Sequence, residues 1–247
     1  MNYKGIEMEK YLGNKKSLLG DIFNFYKQNC PEASSVFDIF AGTNNVARMF
    51  RKKGLKAYSN DANRFSYILA KTYLELDEIP QFKKINAYKV YDEDLFLQKR
   101  IIADIQKDNN TLFDSEKQRD FLIDTKEAQA VFNYLNSLKN KLKNRNYTFY
   151  DYFSQFGDKS SYTSMRGTSG KRNYFSEENA ILLDNILNQI KDWKNESRIS
   201  SNEYYFLLTA VIEEVTLKAN VNGTFHDFNR KKLFPNATFS ATVPSNK

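Results

Sequence analysis

Over residues 14–76 the hydrophobic pattern runs helix, strand, helix, strand, helix, and nothing else in the 247-residue chain narrows the fold as much. NKKSLLGDIFNFYKQ (14–28) sets Leu18, Leu19, Ile22, Phe23 and Tyr26 at helical spacing, which predicts an amphipathic helix that packs on a sheet and stops at Pro31. VFDIF (36–40) is a short apolar run of the kind that forms a strand buried on both faces. It is followed by AGT and a second helical stretch, NNVARMFRKKG, ending at Gly54. LKAYSN (55–60) reads as a second strand and ANRFSYILAKTYLEL (62–76) as a third helix. Strands separated by single helices pair in parallel, so this order predicts the opening of a doubly wound α/β sheet.

Beyond Pro80 the character changes. Residues 91–143 are charged and helical in pattern, with no clear buried strand, and 144–175 are rich in aromatics, Ser, Thr and Gly. EENAILLDNILNQIKDWK (177–194) and NEYYFLLTAVIEEVTLKA (202–219) read as two more helices. The expected organisation is an α/β unit over residues 1–90, a mainly helical domain over 91–230 and a return segment over 231–247.

Composition removes several chemistries. A single cysteine, Cys30, cannot close an internal disulfide or build a cysteine metal site, and a single histidine, His226, leaves little room for histidine triads. No apolar run reaches the eighteen or so residues of a membrane span, and MNYKGIEMEKYLG lacks the apolar stretch of a signal peptide, so a soluble, cytoplasmic protein is expected. The 37 Lys and Arg exceed the 30 Asp and Glu by +7, a sign that suits a polyanion. Lys, Asn, Ile, Phe and Tyr crowd out Gly, Pro and Ala, as A/T-rich codons do, so the charge alone does not decide for a nucleic acid.

The first constellation with chemistry is the turn after VFDIF. Asp38, Phe40, Ala41, Gly42, Thr43 and Asn44 join a strand to a helix, where a missing Cβ admits a ligand close to the backbone and a helix start offers free N–H groups. Nineteen residues after Gly42, at the end of the second strand, stands Asp61, placed where a carboxylate can accept both hydroxyls of a ribose. The pair points to an adenosine-containing cofactor; the competing reading is a plain turn with Asp61 capping the next helix.

The order Y-L-G-N-K (11–15), F-D-I-F-A-G-T (37–43) and S-N-D (59–61), with Ser66 following, resembles the start of the adenine-specific DNA methyltransferases of the Dam-like (D12) class. NYFSEENAILLDNILNQI (173–190) and NVNGTFHDFNRKKL (220–233) are similar to parts of the recognition insert in some members. The resemblance implies a partial Rossmann-like class I methyltransferase sheet, with a mainly helical DNA-recognition domain inserted before the catalytic motif. It also implies that Tyr11 and Lys15 lie beside S-adenosylmethionine, Lys15 approaching its carboxylate. Phe40 and Gly42 would line the cofactor pocket, Asp61 would hold the ribose, and Asp38 would orient the turn. Asn44 departs from the family, standing where a second Gly is common, although Asn tolerates left-handed backbone angles better than most residues.

The second constellation runs from Leu138 to Tyr174. Lys139, Lys141, Lys143, Arg145, Lys159, Arg166, Lys171 and Arg172 face only Asp151 and Asp158, so nearly the whole net charge sits here, interleaved with aromatics. SSYTSMRGTSGKR (160–172) is expected to be a mobile loop. Taken alone, the stretch reads as a solvated face over core aromatics. With the resemblance it becomes a surface for double-stranded DNA, with Lys143, Arg145, Arg166, Lys171, Arg172 and, further on, Arg230 as the contacting cations. GTSGKR (167–172) is not a phosphate-binding P-loop, and DED (92–94) and the pair Glu213 and Glu214 read as solvated helix-face acids rather than metal ligands. Trp193, Tyr205 and Phe206 fall at core-like helical positions, and His226 has no visible catalytic partner.

Adenine methylation requires an extruded base, an acceptor for its amino hydrogens and a stacking ring. The family meets the last two needs with D-P-P-Y, but the four prolines here, Pro31, Pro80, Pro235 and Pro244, are never adjacent. The expectation is a type II restriction-modification adenine-N6 methyltransferase whose catalytic strands lie on a second chain, or of which this sequence is a fragment or truncated reading frame. On either account the chain is inactive unaided and the VFDIF strand keeps an uncovered apolar edge. The rival is a non-catalytic DNA-binding protein derived from the same family.

Overall fold

The computed structural model describes residues 14–85, 126–140, 142, 145–221, 228 and 239–244. Strand β1 (Ser35–Asp38) pairs in parallel with β2 (Lys56–Ser59), Asp38 opposite Ser59, so both chains leave the sheet at the same edge. Helix α1 (Leu19–Asn29) precedes them, α2 (Asn45–Lys52) connects them and α3 (Arg64–Tyr73) follows, which is the alternation the sequence predicts. Helix α2 buries Val46, Ala47 and Phe50. The chain turns into β2 through Gly54, whose φ of +85° suits a residue without Cβ. Helix α1 buries none of its residues; Phe23 and Tyr26 set their rings against Phe50 of α2, so its ring contacts reach the sheet's covering helix rather than the sheet.

The expectation of a strand buried on both faces does not hold. Side chains alternate along a strand, and Phe37 and its β2 partner Tyr58 share the face that nothing described covers, being 59% and 48% exposed. Ile39 and Phe40, just past the strand, are 53% and 78% exposed. Among the described residues, α2 covers one face of the strand pair and the other face is bare.

The larger core lies elsewhere. Helices α4 (Lys126–Ser137), α6 (Glu177–Asn195) and α7 (Ser201–Lys218) converge on Phe132, Leu135, Leu183, Ile186, Ile190, Trp193, Phe206 and Leu207, all buried. Leu76, Phe82 and Ile85, downstream of α3, are buried in the same cluster. Ser176 caps α6 by accepting the Asn179 N–H at 3.2 Å, and Ser200 and Glu203 close a reciprocal capping box at the start of α7. A short helix, α5 (Thr148–Phe153), is capped by the buried Asp184, which accepts the Phe149 and Tyr150 amides at 3.0 and 2.8 Å.

Residues 160–172, expected to be a mobile loop, form a hairpin. Strands β3 (Ser161–Thr163) and β4 (Ser169–Lys171) pair antiparallel, Tyr162 opposite Gly170. Its base rests on Gly157, where an added Cβ would overlap the Tyr150 and Asp151 carbonyl oxygens. Glu213 and Glu214, read as solvated, are buried: α7 turns them toward α3 and toward Ser240. DED (92–94) and His226 lie outside the described residues.

Candidate functional site

The parallel register of β1 and β2 brings their two exit loops side by side, and backbone bonds knit them together. The Asn60 N–H donates to the Asp38 carbonyl at 2.8 Å and the Ala41 N–H to the Asn60 carbonyl at 2.9 Å. Gly42 turns with φ +51° and gives its N–H to Asp61 Oδ2 at 2.8 Å, while Asp61 Oδ1 accepts the Asn63 N–H at 2.8 Å. Those two amides, Asn63 first and Gly42 second, hold the Asp61 carboxyl below the usual carboxylate range, with a smaller push from Lys15. Asp61 does not cap α3, whose N-cap position is Asn63. With a further bond from the Asn63 side chain, these partners still leave part of the roughly four lone pairs of the carboxylate as acceptor capacity for a ligand.

Lys15 Nζ donates to the Phe40 carbonyl at 2.9 Å, placing a cation between the turn and both acids. Burial pushes the Asp38 carboxyl up, partly offset by Lys15 and the Phe40 amide, and Asp38 Oδ2 is buried with no hydrogen-bond partner among the described residues. Lys15, Asp38, Phe40, Gly42 and Asp61, chosen from sequence, therefore meet at one edge of the sheet. Tyr11 lies outside the described residues. Sequence reasoning missed the turn's supports. Asn14 Oδ1 accepts from Asn45 Nδ2 at 2.8 Å and from the Lys16 N–H at 3.0 Å, tying Asn14 to the start of α2. Asn44, noted only as a departure from the family, is fully buried with φ +62°, and Ser66 Oγ donates to the Gly42 carbonyl at 2.6 Å.

Of the six cations expected to meet DNA, Lys143 and Arg230 lie outside the described residues. Arg145 is ion-paired with Asp192 of α6. Lys171 Nζ donates to the Gly157 carbonyl at 2.6 Å, and Arg172 reaches the Tyr152 and Lys159 carbonyls at 3.5 and 3.4 Å, so both fasten the hairpin to the segment behind it. Arg166 is different: it sits exposed at the hairpin tip beside the fully exposed Met165, without an ion pair among the described residues. The tip is held by its own bonds, Ser164 N–H to the Thr168 carbonyl at 2.8 Å and Gly167 N–H to the Ser164 carbonyl at 2.9 Å.

The two ends are bridged by α3 and α7. Thr72 and Thr209 share a hydroxyl hydrogen bond at 2.8 Å, and the Tyr73 hydroxyl donates to Glu213. Burial pushes the Glu213 carboxyl up to about 7, against the lowering effects of Tyr73 and of Arg48, whose guanidinium lies 3.6 Å from the Tyr73 ring centre. At the far end of α7, Asn220 bonds the Tyr174 carbonyl through its N–H at 2.8 Å and the Asn173 carbonyl through Nδ2 at 2.9 Å, just beyond β4.

The chain is 30% identical over 220 residues to the modification methylase StsI of Streptococcus sanguinis, a match covering 89% of this chain and 26% of that protein. It is 27% identical to the type II methyltransferase M.FokI of Planomicrobium okeanokoites, over 87% of this chain and 26% of that one. With the modification methylase LlaI of Lactococcus lactis subsp. lactis it shares 26% identity over 89% of this chain and 27% of that one. The chain thus spans about a quarter of the length of these relatives. No solved structure matches it. The family model of the D12 class N6 adenine-specific DNA methyltransferases matches residues 11–198, and the chain belongs to that family.

Proposed function

We propose that this chain carries the S-adenosylmethionine-binding edge and the DNA-recognition surface of a site-specific adenine-N6 methyltransferase from a restriction-modification system. The observation that carries this reading is Asp61, an ionised carboxylate held 2.8 Å from the Gly42 N–H at the mouth of a parallel sheet, with Lys15 close by. A carboxylate with spare acceptor capacity suits the two hydroxyls of a ribose, and an ammonium suits the carboxylate of an amino-acid tail. Gly42 lets a ligand approach the backbone, and Phe40 offers an exposed ring beside it. When bound, S-adenosylmethionine supplies the electrophilic methyl group. The chain's own residues orient the cofactor: Asp61 accepts from the ribose, Lys15 donates to the tail, and Asp38 stiffens the turn between them.

The DNA surface is the hairpin, with Arg166 at its tip as the leading phosphate or base contact and Lys171 and Arg172 holding it in place. The remaining machinery, an acceptor for the adenine amino hydrogens and a ring to stack on it, is assigned to sequence outside these 247 residues. Two observations support this: no two prolines are adjacent, so the D-P-P-Y motif is missing, and among the described residues no third strand pairs with β1 or β2. A further strand beside β1, from the remainder of a longer polypeptide or from a second chain, would complete the sheet.

Titration calorimetry tests the reading. The chain is expected to bind S-adenosylmethionine, and Asp61→Ala to weaken binding at least a hundredfold; the absence of heat with the unaltered chain would sink the cofactor assignment. DNA affinity should fall with salt, and Arg166→Ala should lower the log-log slope by about 0.9. An unchanged slope would move recognition off the hairpin tip. Methylation should appear only when a D-P-P-Y-bearing sequence is supplied.

A further inference from the structure

We propose that Ser66 and Asn44 are positioning residues for the cofactor: as a linked pair they set the two peptides that flank Gly42 against Asp61, an inference that rests on the cofactor reading above. Gly42 is held at both of its backbone polar groups. Its N–H goes to Asp61 Oδ2 at 2.8 Å and its carbonyl accepts Ser66 Oγ at 2.6 Å. Ser66 in turn accepts at its own carbonyl the Nδ2 of Asn44, at 2.9 Å, and the Asn44 N–H returns to the Ala41 carbonyl at 2.7 Å. The first turn of α3 therefore grips the turn at two points two residues apart. Asp61 is fixed from the other side by the Asn63 N–H, three residues before Ser66.

Local stability alone does not account for these side chains. A left-handed residue is cheapest as Gly, yet position 44 holds an Asn at φ +62° whose side chain is fully buried. Its Oδ1 has no hydrogen-bond partner among the described residues, a cost that Gly would avoid. Ser at a buried helical position is a poorer helix former than Ala. Each choice costs something locally, and what the two gain together is the orientation of two successive peptides, Ala41–Gly42 held at its carbonyl by the Asn44 N–H and Gly42–Thr43 held at its carbonyl by Ser66 Oγ. Without the grip, the peptides on either side of Gly42 are free to rotate about its permissive φ and ψ, the Gly42 N–H turns away from Asp61, and the carboxylate that would meet the ribose loses the partner that aims it. Because Asn44 has no solvent exposure, it acts through the turn and touches no ligand.

The test uses the full chain, S-adenosylmethionine as the titrant and the ligand-free melting midpoint as control. Ser66→Ala and Asn44→Gly, the latter keeping the backbone angle accessible, are each expected to weaken cofactor binding about tenfold while shifting the midpoint by only a few degrees. Because the pair works as a unit, the double variant should bind about as weakly as either single one rather than a hundredfold worse. Ser66→Cys, close in size but a weaker donor, guards against loss of fold in the Ala variant and is expected to lose several-fold in affinity. Wild-type affinity in any folded variant, or fully additive losses, overturns the inference. Failure of the unaltered chain to bind would instead strike the cofactor reading itself.

Discussion

The three long helices and the two-stranded parallel sheet bury apolar surface to very different extents. Among α4, α6 and α7, side chains such as Phe132, Leu183, Ile186 and Leu207 are wholly enclosed. Around β1 and β2, Phe37, Ile39, Phe40 and Tyr58 are about half exposed or more, and the apolar side chains enclosed on the α2 side include Ala41, Val46, Ala47 and Phe50. Yet every described residue of the candidate cofactor site belongs to the thinly packed region. The difference shows how a site can be precise without a large core beneath it: hydrogen bonds from Asn44, Ser66 and Asp61 fix the turn locally, while α3 borrows anchorage from α7 through Thr72 and Tyr73.

Truncation within the helical core should break the contrast most severely. Phe132→Ala is expected to cost about 3–5 kcal/mol and to lower the melting midpoint of the whole chain, measured by circular dichroism. Val46→Ala on α2 should cost less than half of that, and equal losses would mean the sheet is as well supported as the bundle. A second probe is pH. Glu213, facing the Tyr73 hydroxyl, Arg48 and Glu214, is raised by burial from 4.5 to about 7, so the folded chain keeps a proton that the unfolded chain has released. Stability should therefore fall as pH rises from about 4.5 to 7, by about 3 kcal/mol at most, and Glu213→Gln should flatten that part of the curve. Asp184, raised by burial to about 6, adds a fall of the same sign that the Gln variant leaves in place. Urea titrations across this range would show it, and an unaltered slope in Glu213→Gln would remove the α3–α7 anchor from the comparison.

Gly157→Ala, whose methyl would collide with the Tyr150 and Asp151 carbonyls of α5, is expected to shift the Gly157 carbonyl on which Lys171 and Ser160 rest, at a cost of about 1–3 kcal/mol. Amide exchange should then quicken over β3 and β4 while α6 stays protected, and protection retained in the hairpin would mean that the seat adjusts. The smallest effect belongs to the bare face. Phe37→Ser with Tyr58→Ser should change stability by no more than about 0.5 kcal/mol each yet reduce self-association in sedimentation.

Much of this arrangement is legible in the residues themselves. Asp61 and Gly42 stand nineteen apart because one helix and one strand separate two adjacent exits of a parallel sheet, so spacing alone brings these two residues of the candidate site together. The helical runs 177–194 and 202–219 mark α6 and α7 just as clearly. What the pattern hides is set by tertiary contact. Strands of three residues carrying Ser, Thr and Gly have no hydrophobic alternation, so β3 and β4 read as loop. Glu213 looks solvated until α3 presents Tyr73 to it. VFDIF looks enclosed because a run of apolar residues states what a strand could bury, not what is present to cover it.

Time of synthesis follows from the same α3–α7 contact. Thr72 and Thr209 are 137 positions apart, so during translation at roughly 5–20 residues per second the third helix leaves the ribosome on the order of ten seconds before its anchor exists. Through that interval the Gly42 turn can form its local bonds, but Thr72 and Tyr73 lack the buried partners that α7 brings them. The period of greatest exposure to chaperones and proteases therefore falls before α7 is made, and slowing the ribosome between codons 74 and 200 should lower soluble yield more than slowing it after codon 218.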